Sequence, residues 1–568
     1  MDRPTASPAP RIEPHQSGGL SRRRLLQAFA VASGSAALTA VLAGCGGGTT
    51  APTATPGSST SPNATPSGDT SARTGTLTAT GAAPGSQAKQ GGDITFGQGS
   101  DATTLDPAQS TALVDYQIYA GIFDTLAVLD AQGKVAPGLA ESWEEAPDHL
   151  SWTLHLRKGV TFHDGTDFNA SAVKVNVERY IDPKLNFPRK GEIPTVTGVT
   201  VIDPYTARIE LSQPFVVLMY SFASVTGTMV SPAAIMKYGD DLARNPVGTG
   251  PFVFKEWIKG DHVLVTRNLS YWKPGLPHLN SVTYKGIADT TVLINGMKSG
   301  VIHATYSVPA KDVGALKSDP NFQLIVQPST AINALRFNLA SPPFDRKEIR
   351  QALSWTIDRA AIEKALYFDT GTPANSFLSP RNLGYNDQIS LYKTTDTGKA
   401  KQLLAAGGQP NGFKFTAQTS NGPEAVQLAQ AVKSQLEAIN VTMDLQLLDG
   451  VTQLQKLVAK QFDAQFNQFN GGVEPFQGLN RFFSSKSPLD VYSYVSPQFD
   501  DLLAKASATG DDGARAAIYK QMAALLSEDC PWAFLHFPAT TQLLRKEIKG
   551  YVFSPDLMLH LDPVSYAS

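Results

Sequence analysis

The sequence predicts an α/β protein of at least two lobes with mixed sheets, and three features carry that expectation. The chain has 568 residues, well beyond the roughly 100–200 of one ordinary domain. Its first half shows period-two alternation of apolar residues in runs that can pair as antiparallel strands, and its second half changes to strand, helix, strand, where a parallel sheet is signalled. Lys+Arg 48 against Asp+Glu 50 gives a formal net charge of −2, without the basic footprint that nucleic acid requires. Two cysteines, Cys45 and Cys530, exclude a disulfide framework, an iron–sulfur cluster and a multi-cysteine zinc site.

Residues 1–44 read as an export signal: Arg3, Arg11, Arg22, Arg23 and Arg24 stand against Asp2 and Glu13, and an Ala/Val/Leu-rich run follows from Leu25 to Leu42. Ser21-Arg22-Arg23-Arg24-Leu25-Leu26 resembles the twin-arginine signal, whose cargo crosses the membrane folded. Leu42-Ala43-Gly44-Cys45 resembles a bacterial lipobox, which implies cleavage before Cys45 and lipid attachment to its sulfur. Several acyl chains on one residue suffice for stable anchoring. Removing five basic and two acidic residues leaves 43 positive against 48 negative charges, a net −5. Residues 45–90 are Gly, Ser, Thr, Pro and Ala with Asp69, Arg73 and Lys89 as the charged positions, so a lipid-anchored disordered linker is expected. Its root-mean-square span is roughly 35–40 Å.

Within the body, Trp152, Leu154 and Leu156 alternate, as do Val199 and Val201 with Ile209 and Leu211 across the turn at Asp203-Pro204-Tyr205, and Val263 with Val265. One long helix is predicted over Asp345–Phe368, capped by Asp345, with Ile349, Leu353 and Ala360 on its apolar side and Trp355 and Leu366 as core. Phe413–Thr419 reads as a strand, and Ser420-Asn421-Gly422-Pro423 supplies a cap and a first-turn proline for the helix carrying Val426, Ala429, Val432, Leu436 and Ile439. Val441, Met443, Leu445 and Leu447 form the next strand, 451–460 a second helix and Phe462–Phe469 a third strand. Cys530 lies in an apolar run to Leu535 that reads as a buried strand, with a core thiol.

Most catalytic patterns are missing. The nine histidines show no His-Glu-x-x-His and no four-residue helical spacing that would aim two imidazoles at one metal. His163-Asp164-Gly165 after a strand reads as a turn. There is no Gly-x-Ser-x-Gly elbow and no phosphate loop, and Gly248-Thr249-Gly250-Pro251 leads into a strand-like run where a phosphate loop would lead into a helix. An exported, tethered, two-lobed body of this kind suits a receptor better than an enzyme, and no cofactor is implied.

The chain resembles the family 5 extracellular solute-binding proteins, the peptide and nickel receptors of ATP-binding-cassette (ABC) importers. The resemblance rests on Thr104-Leu105-Asp106-Pro107, Ile122-Phe123-Asp124-Thr125-Leu126, Pro137-Gly138-Leu139-Ala140-Glu141-Ser142-Trp143, the run from Trp152 to Gly165, Pro246 to Phe252, Leu335-Arg336-Phe337-Asn338 and Arg350-Gln351-Ala352-Leu353, in that order. It implies a two-lobe periplasmic-binding-protein-like fold of type II, in the large three-part peptide-receptor class, with a two-segment hinge. Lobe I would comprise 91–326 plus 536–568, with a subdomain at about 136–200, and lobe II 327–535; the crossings would lie near Leu324–Pro328 and Trp532–Phe537. It further implies a peptide or other small solute and ABC permease subunits as partners, a monomer, and a lipid-anchored place on the outer face of the cytoplasmic membrane or in the periplasmic space. A surface sensor or adhesion lipoprotein with the same fold, or an exported hydrolase, is the alternative.

In a wound parallel sheet, ligands sit beyond the carboxyl ends of the strands. That rule selects Thr419–Gly422, with Thr419 and Asn421 as candidates, Leu448–Gly450, and Phe469–Gly472, beside which Gln468, Phe469, Asn470 and Gly471 are the candidate contacts. The resemblance points to the last group, which precedes Glu474-Pro475; peptide binders place an aspartate for the peptide's amino group where this chain has Gly471. Ser110, Thr111 and Leu113 align with the lobe I segment beside the peptide, and Thr111 replaces an acidic residue there. Both departures remove the charge that selects an ammonium, so an uncharged or weakly charged solute, or a blocked peptide, is expected over a zwitterionic one. Glu474 is left open as a cation partner or a helix cap.

Overall fold

The computed structural model describes residues 88–568 apart from 111, 186, 488–492, 556–557 and 568. The export signal, Cys45, nearly all of the linker and Thr111 therefore lie outside the described residues. No helix among the described residues is long and apolar enough to cross a membrane.

Three sheets organise the body. A seven-stranded sheet runs in the order Phe322–Pro328, Ala539–Arg545, Ala304–Thr305, Asp93–Gln98, Ser281–Gly286, His262–Arg267, Phe252–Ile258. A six-stranded sheet runs Thr372–Pro373, Trp532–Phe537, Ala331–Phe337, Ala464–Asn470, Lys414–Ser420, Thr442–Leu448. A four-stranded antiparallel sheet joins Ala140–Glu145, Ser151–Leu156, Thr206–Leu211 and Val196–Asp203. The chain passes between the two larger sheets twice, from Pro328 to Ala331 and from Phe537 to Ala539.

The alternation of apolar residues becomes real strand faces. Ser151–Leu156 buries Trp152, Leu154 and Leu156, and Val199 pairs with Ile209 across the predicted turn. Val201 departs from expectation at 38% exposure, because its strand is the sheet edge and is exposed beyond Val199. The wound motif is present: Lys414–Ser420 lies parallel to Thr442–Leu448 on one side and to Ala464–Asn470 on the other, with helices Pro423–Leu436 and Gly450–Val458 as the crossovers. The first of these helices starts on Pro423, but its cap is Gly422 with no side-chain bond, so neither Ser420 nor Asn421 caps it. In the strand Thr442–Leu448 the alternation fades, with Met443 buried and Leu447 51% exposed.

The predicted helix over 345–368 is two helices, Lys347–Thr356 and Arg359–Tyr367, and Asp345 caps neither. Asp358 ends the first by capping the second, accepting from the Ala361 backbone N–H at 2.9 Å. Arg359, buried at the break, donates Nη1 to the carbonyls of Ser354 and Ile357, each at 3.0 Å, and Nε to those of Ala374 and Phe534 at 2.9 and 2.6 Å. Burial pushes its pKa down to about 10. Trp355 and Leu366 pack against the core as expected. Cys530 is corrected in place: it closes the helix Asp512–Asp529 in the left-handed conformation, and the strand starts at Trp532.

Two of the recurrent motifs prove to be braces. Asp106, fully buried, takes Arg179 Nη1 and Nη2 at 2.9 and 2.6 Å and so ties the helix Ala170–Ile181 to the segment before it. Asp124 accepts from Thr249 Oγ1, Tyr271 OH and Trp272 Nε1 at 2.8, 3.0 and 3.0 Å. The adjoining Gly248 has to be glycine, since a Cβ there would stand 2.2 Å from the Ile122 carbonyl oxygen. His163 and Asp164 form a turn, His163 Nε2 donating to the Gly250 carbonyl at 2.9 Å and Asp164 accepting from Thr166 N–H at 3.1 Å.

Arg359→Ala removes the donor from five carbonyls, those of Ser354, Ile357, Ala374, Tyr392 and Phe534, and is expected to lower stability by at least about 3 kcal/mol, read as a shift of the urea midpoint at unchanged slope. Burial pushes the Cys530 thiol above its ordinary value, which suppresses the thiolate. Alkylation followed by peptide mass analysis should therefore leave Cys530 unmodified at pH 8.5 in the folded protein and modify it fully in guanidinium; rapid native labelling would contradict its placement in the core.

Candidate functional site

A cavity of about 400 Å3 lies between two walls. One wall comes from Leu113 and Tyr116 on the helix Leu113–Ile122, from Arg189 and Glu192, and from Tyr220–Val225. The other is formed by Gln468–Glu474, by Gln477, Gly478 and Arg481 on the helix Pro475–Phe483, and by Leu454, Leu457 and Val458 on Gly450–Val458. The walls touch: Gln477 Nε2 donates to Ser221 Oγ at 3.2 Å, Asn480 Nδ2 donates to the Gly191 carbonyl at 2.9 Å, and the Phe215 and Phe476 rings meet edge-on at 5.2 Å.

The floor is aromatic. Phe469 stacks on Trp532 with centroids 4.9 Å apart and meets Phe482 at 4.3 Å. The Arg336 guanidinium lies over Trp532 at 4.5 Å, and burial holds its pKa well below the ordinary arginine value. The turn at 470–474 is held by its own residues. Asn470 Oδ1 accepts from Thr330 Oγ1 at 2.6 Å and from Gly472 N–H at 3.0 Å, and Gly471 N–H donates to the Thr330 carbonyl at 3.1 Å. Glu474 is the helix cap: it accepts from Phe476 N–H at 3.4 Å and from Tyr519 OH, and stands 3.6 Å from Arg515 Nη2. Burial raises its pKa.

Of the residues selected from sequence, Leu113, Gln468, Phe469, Asn470 and Gly471 line this cavity. Ser110 stands one layer behind: fully buried, its hydroxyl donates to Asp115 Oδ2 at 2.5 Å and accepts from Ala112 N–H at 3.0 Å, so it braces the helix that presents Leu113. Thr419 and Asn421 are not brought to the cavity. Thr419 is buried in its strand and Asn421 is exposed, its N–H donating to the Leu448 carbonyl at 2.9 Å. The neighbouring Ser420 and Gly422 instead line a second hollow of about 420 Å3 that shares Gln468 with the cavity.

Sequence reasoning missed the ionic residues. Arg189 donates Nη1 to Tyr116 OH at 2.7 Å and pairs with Glu192 at 2.7 Å; burial opposes its charge, but Glu192 and Tyr116 hold its pKa above the ordinary value. Arg481 was legible in principle, since Gly478 and Arg481 fall three apart on the helix opened by Glu474-Pro475. Arg189 sits on an irregular stretch with no such signal.

The chain matches the family model described as bacterial extracellular solute-binding proteins, family 5 Middle, over residues 134–489. It is 30% identical over 493 residues to the glutathione-binding protein GsiB of Shigella dysenteriae serotype 1, covering 85% of this chain and 95% of that one. With GsiB of Escherichia coli K12 it is 30% identical over 475 residues, covering 82% and 92%. Among solved structures it is similar to Helicobacter pylori DppA in complex with peptide STSA, with a TM-score of 0.78 at 25% identity, and to AgaA of A. tumefaciens R10 in complex with agropinic acid, with a TM-score of 0.77 at 28% identity. Each of the two alignments covers 84% of this chain and 99% of the other.

Because the Asn470 carbonyl oxygen is occupied by Thr330 and Gly472, its amide N–H2 is the part left for a solute. Asn470→Asp keeps both acceptor bonds and exchanges that donor for an acceptor. The expected result is solute binding weakened about ten-fold or more, with the melting temperature of the empty protein within a few degrees of wild type, as calorimetry would show.

Proposed function

The chain belongs to the bacterial extracellular solute-binding proteins of family 5, and from that premise we propose that it is the exported receptor of an ABC importer, capturing a peptide-class or other small polar solute and delivering it unchanged to a membrane permease. The observation that carries this reading is the cavity whose walls come from segments 113–225 and 454–482, on either side of the two short crossings between sheets. In this proposal the crossings are a hinge and the lobes lie on either side of it, close to the expected 91–326 plus 536–568 for lobe I and 327–535 for lobe II. A bound solute adds contacts to both walls that the open form lacks, and that difference in affinity favours closure. The signal at 1–44 is removed, Cys45 carries the lipid, the linker holds the body near the membrane, and the receptor works as a monomer without catalysis.

The test is a thermal-shift screen of the protein against glutathione, di- to pentapeptides, sugars, opines and metal chelates, followed by solution scattering and mass analysis of the recovered solute. A binding solute should raise the melting temperature, compact the protein and emerge with unchanged mass. A chemically altered solute, or no compaction by any member of the panel, would overturn the receptor reading.

The position of the missing aspartate is sterically open. A Cβ on Gly471 would stand 3.5 Å from Phe377 Cζ and 3.6 Å from the Thr330 carbonyl, at ordinary contact distance, and the residue is not in the left-handed region. Gly471→Asp is therefore expected to fold normally and to improve binding of free-amine dipeptides relative to their N-acetylated forms, measured by titration calorimetry.

A further inference from the structure

The charged groups of the cavity are matched unequally. Glu474 is matched by Arg515 and Tyr519, and Arg189 by Glu192 and Tyr116. Arg481 forms no salt bridge among the described residues, and the acidic group whose field reaches it, Glu192, is already paired with Arg189; its Nε is buried and makes no hydrogen bond, and its guanidinium stands 5.5 Å from the centroid of the neighbouring Phe482 ring. It is held in place from the residue before it, since Asn480 anchors that turn of helix to the Gly191 carbonyl. Burial first, and then the nearby Arg189, push the Arg481 pKa down against the opposing pull of Glu192 and Tyr116. A partly buried cation whose Nε lacks a hydrogen bond is stabilised when an anion meets it.

Next to this cation the cavity is apolar. Leu454 and Val458 are 58% and 57% exposed on one face of the helix Gly450–Val458, and Leu113 is 43% exposed opposite them. Exposed aliphatic side chains that line the same cavity as an unpaired guanidinium ask for a solute with an apolar body and an anionic end. At the other selective position, Gly471, there is no carboxylate to meet an ammonium.

We infer that Arg481 receives a carboxylate of the solute, and that the solute is a small organic acid or acidic or N-blocked peptide whose apolar body lies along Leu454, Val458 and Leu113. This rests on the receptor reading and narrows it. A guanidinium offers two parallel N–H donors to a carboxylate, and the arrangement adds charge selection to a pocket whose turn residues supply only amides and backbone.

The experiment uses three ligands with one body: N-acetyl-leucyl-leucine with a free carboxylate, its C-terminal amide, and leucyl-leucine amide with a free amine. By titration calorimetry the carboxylate should bind at least about ten-fold more tightly than either amide. Arg481→Gln should bring the carboxylate to the level of the blocked amide without lowering the melting temperature of the empty protein, and Arg481→Lys should recover part of the preference. Equal affinities in wild type, a preference that survives in Arg481→Gln, or binding of none of the three overturns the inference. The receptor reading fails by a different result: no solute of the wider panel, neutral ones included, compacting the protein.

Discussion

The rest of the structure depends on how the chain passes between its two large sheets. Pro328 pairs with Ala539 at the end of one ladder, and Asn333 pairs with His536 at the start of the other. Between the strands of the two sheets lie Ser329 and Thr330 on one crossing and Pro538 on the other, so the two crossings run side by side. Each is fixed at its base: Ser329 Oγ accepts from Ala331 N–H at 2.8 Å, and His536 is stacked on Tyr367 at 3.8 Å and lies against Glu363. On the proposed reading, rotation of one lobe against the other is confined to the few torsions of these residues. The cavity hangs from the same place, because Thr330 holds both Asn470 and Gly471.

The aromatic floor performs the complementary task. Trp532, Phe469, Phe482 and Phe483 fasten the strand Ala464–Asn470, the helix Pro475–Phe483 and the returning strand into one block. That helix is buried along most of its length, which fixes the direction in which Arg481 points. A polar site is thus set by apolar packing behind it, and the turn between strand and helix has little freedom of its own.

Much of this was legible in the sequence, and the residues that were not have physical reasons. Period-two alternation identified Ser151–Leu156 and the wound motif because those strands bury one face against helices. The strand-end rule found Gln468–Gly471 but also selected Thr419 and Asn421, since a rule about topology cannot tell which of several strand ends an opposing wall will cover. Ser110 was placed one layer too far forward: the register of a short loop against the helix it braces depends on Asp115, an intramolecular partner twelve residues from Thr103 and five from Ser110. The break at Asp358 was hidden because the apolar periodicity continues across it, while the interaction that enforces it is Arg359 reaching the distant carbonyls of Ala374 and Phe534. Arg189 and Glu192 belong to a stretch without repeating pattern, where side-chain position is decided by tertiary contact alone.

Gly471 and Gly478 face each other across the turn with opposite tolerances. A Cβ at 478 would come within 2.8 Å of Gly471 Cα, whereas one at 471 meets nothing closer than 3.5 Å. The scaffold therefore keeps one glycine as a structural necessity and the other as open space beside the cavity. On the proposed reading, a side chain added at 471 alters what the cavity selects while the architecture around it stays constant, so a new cargo need not bring a new form.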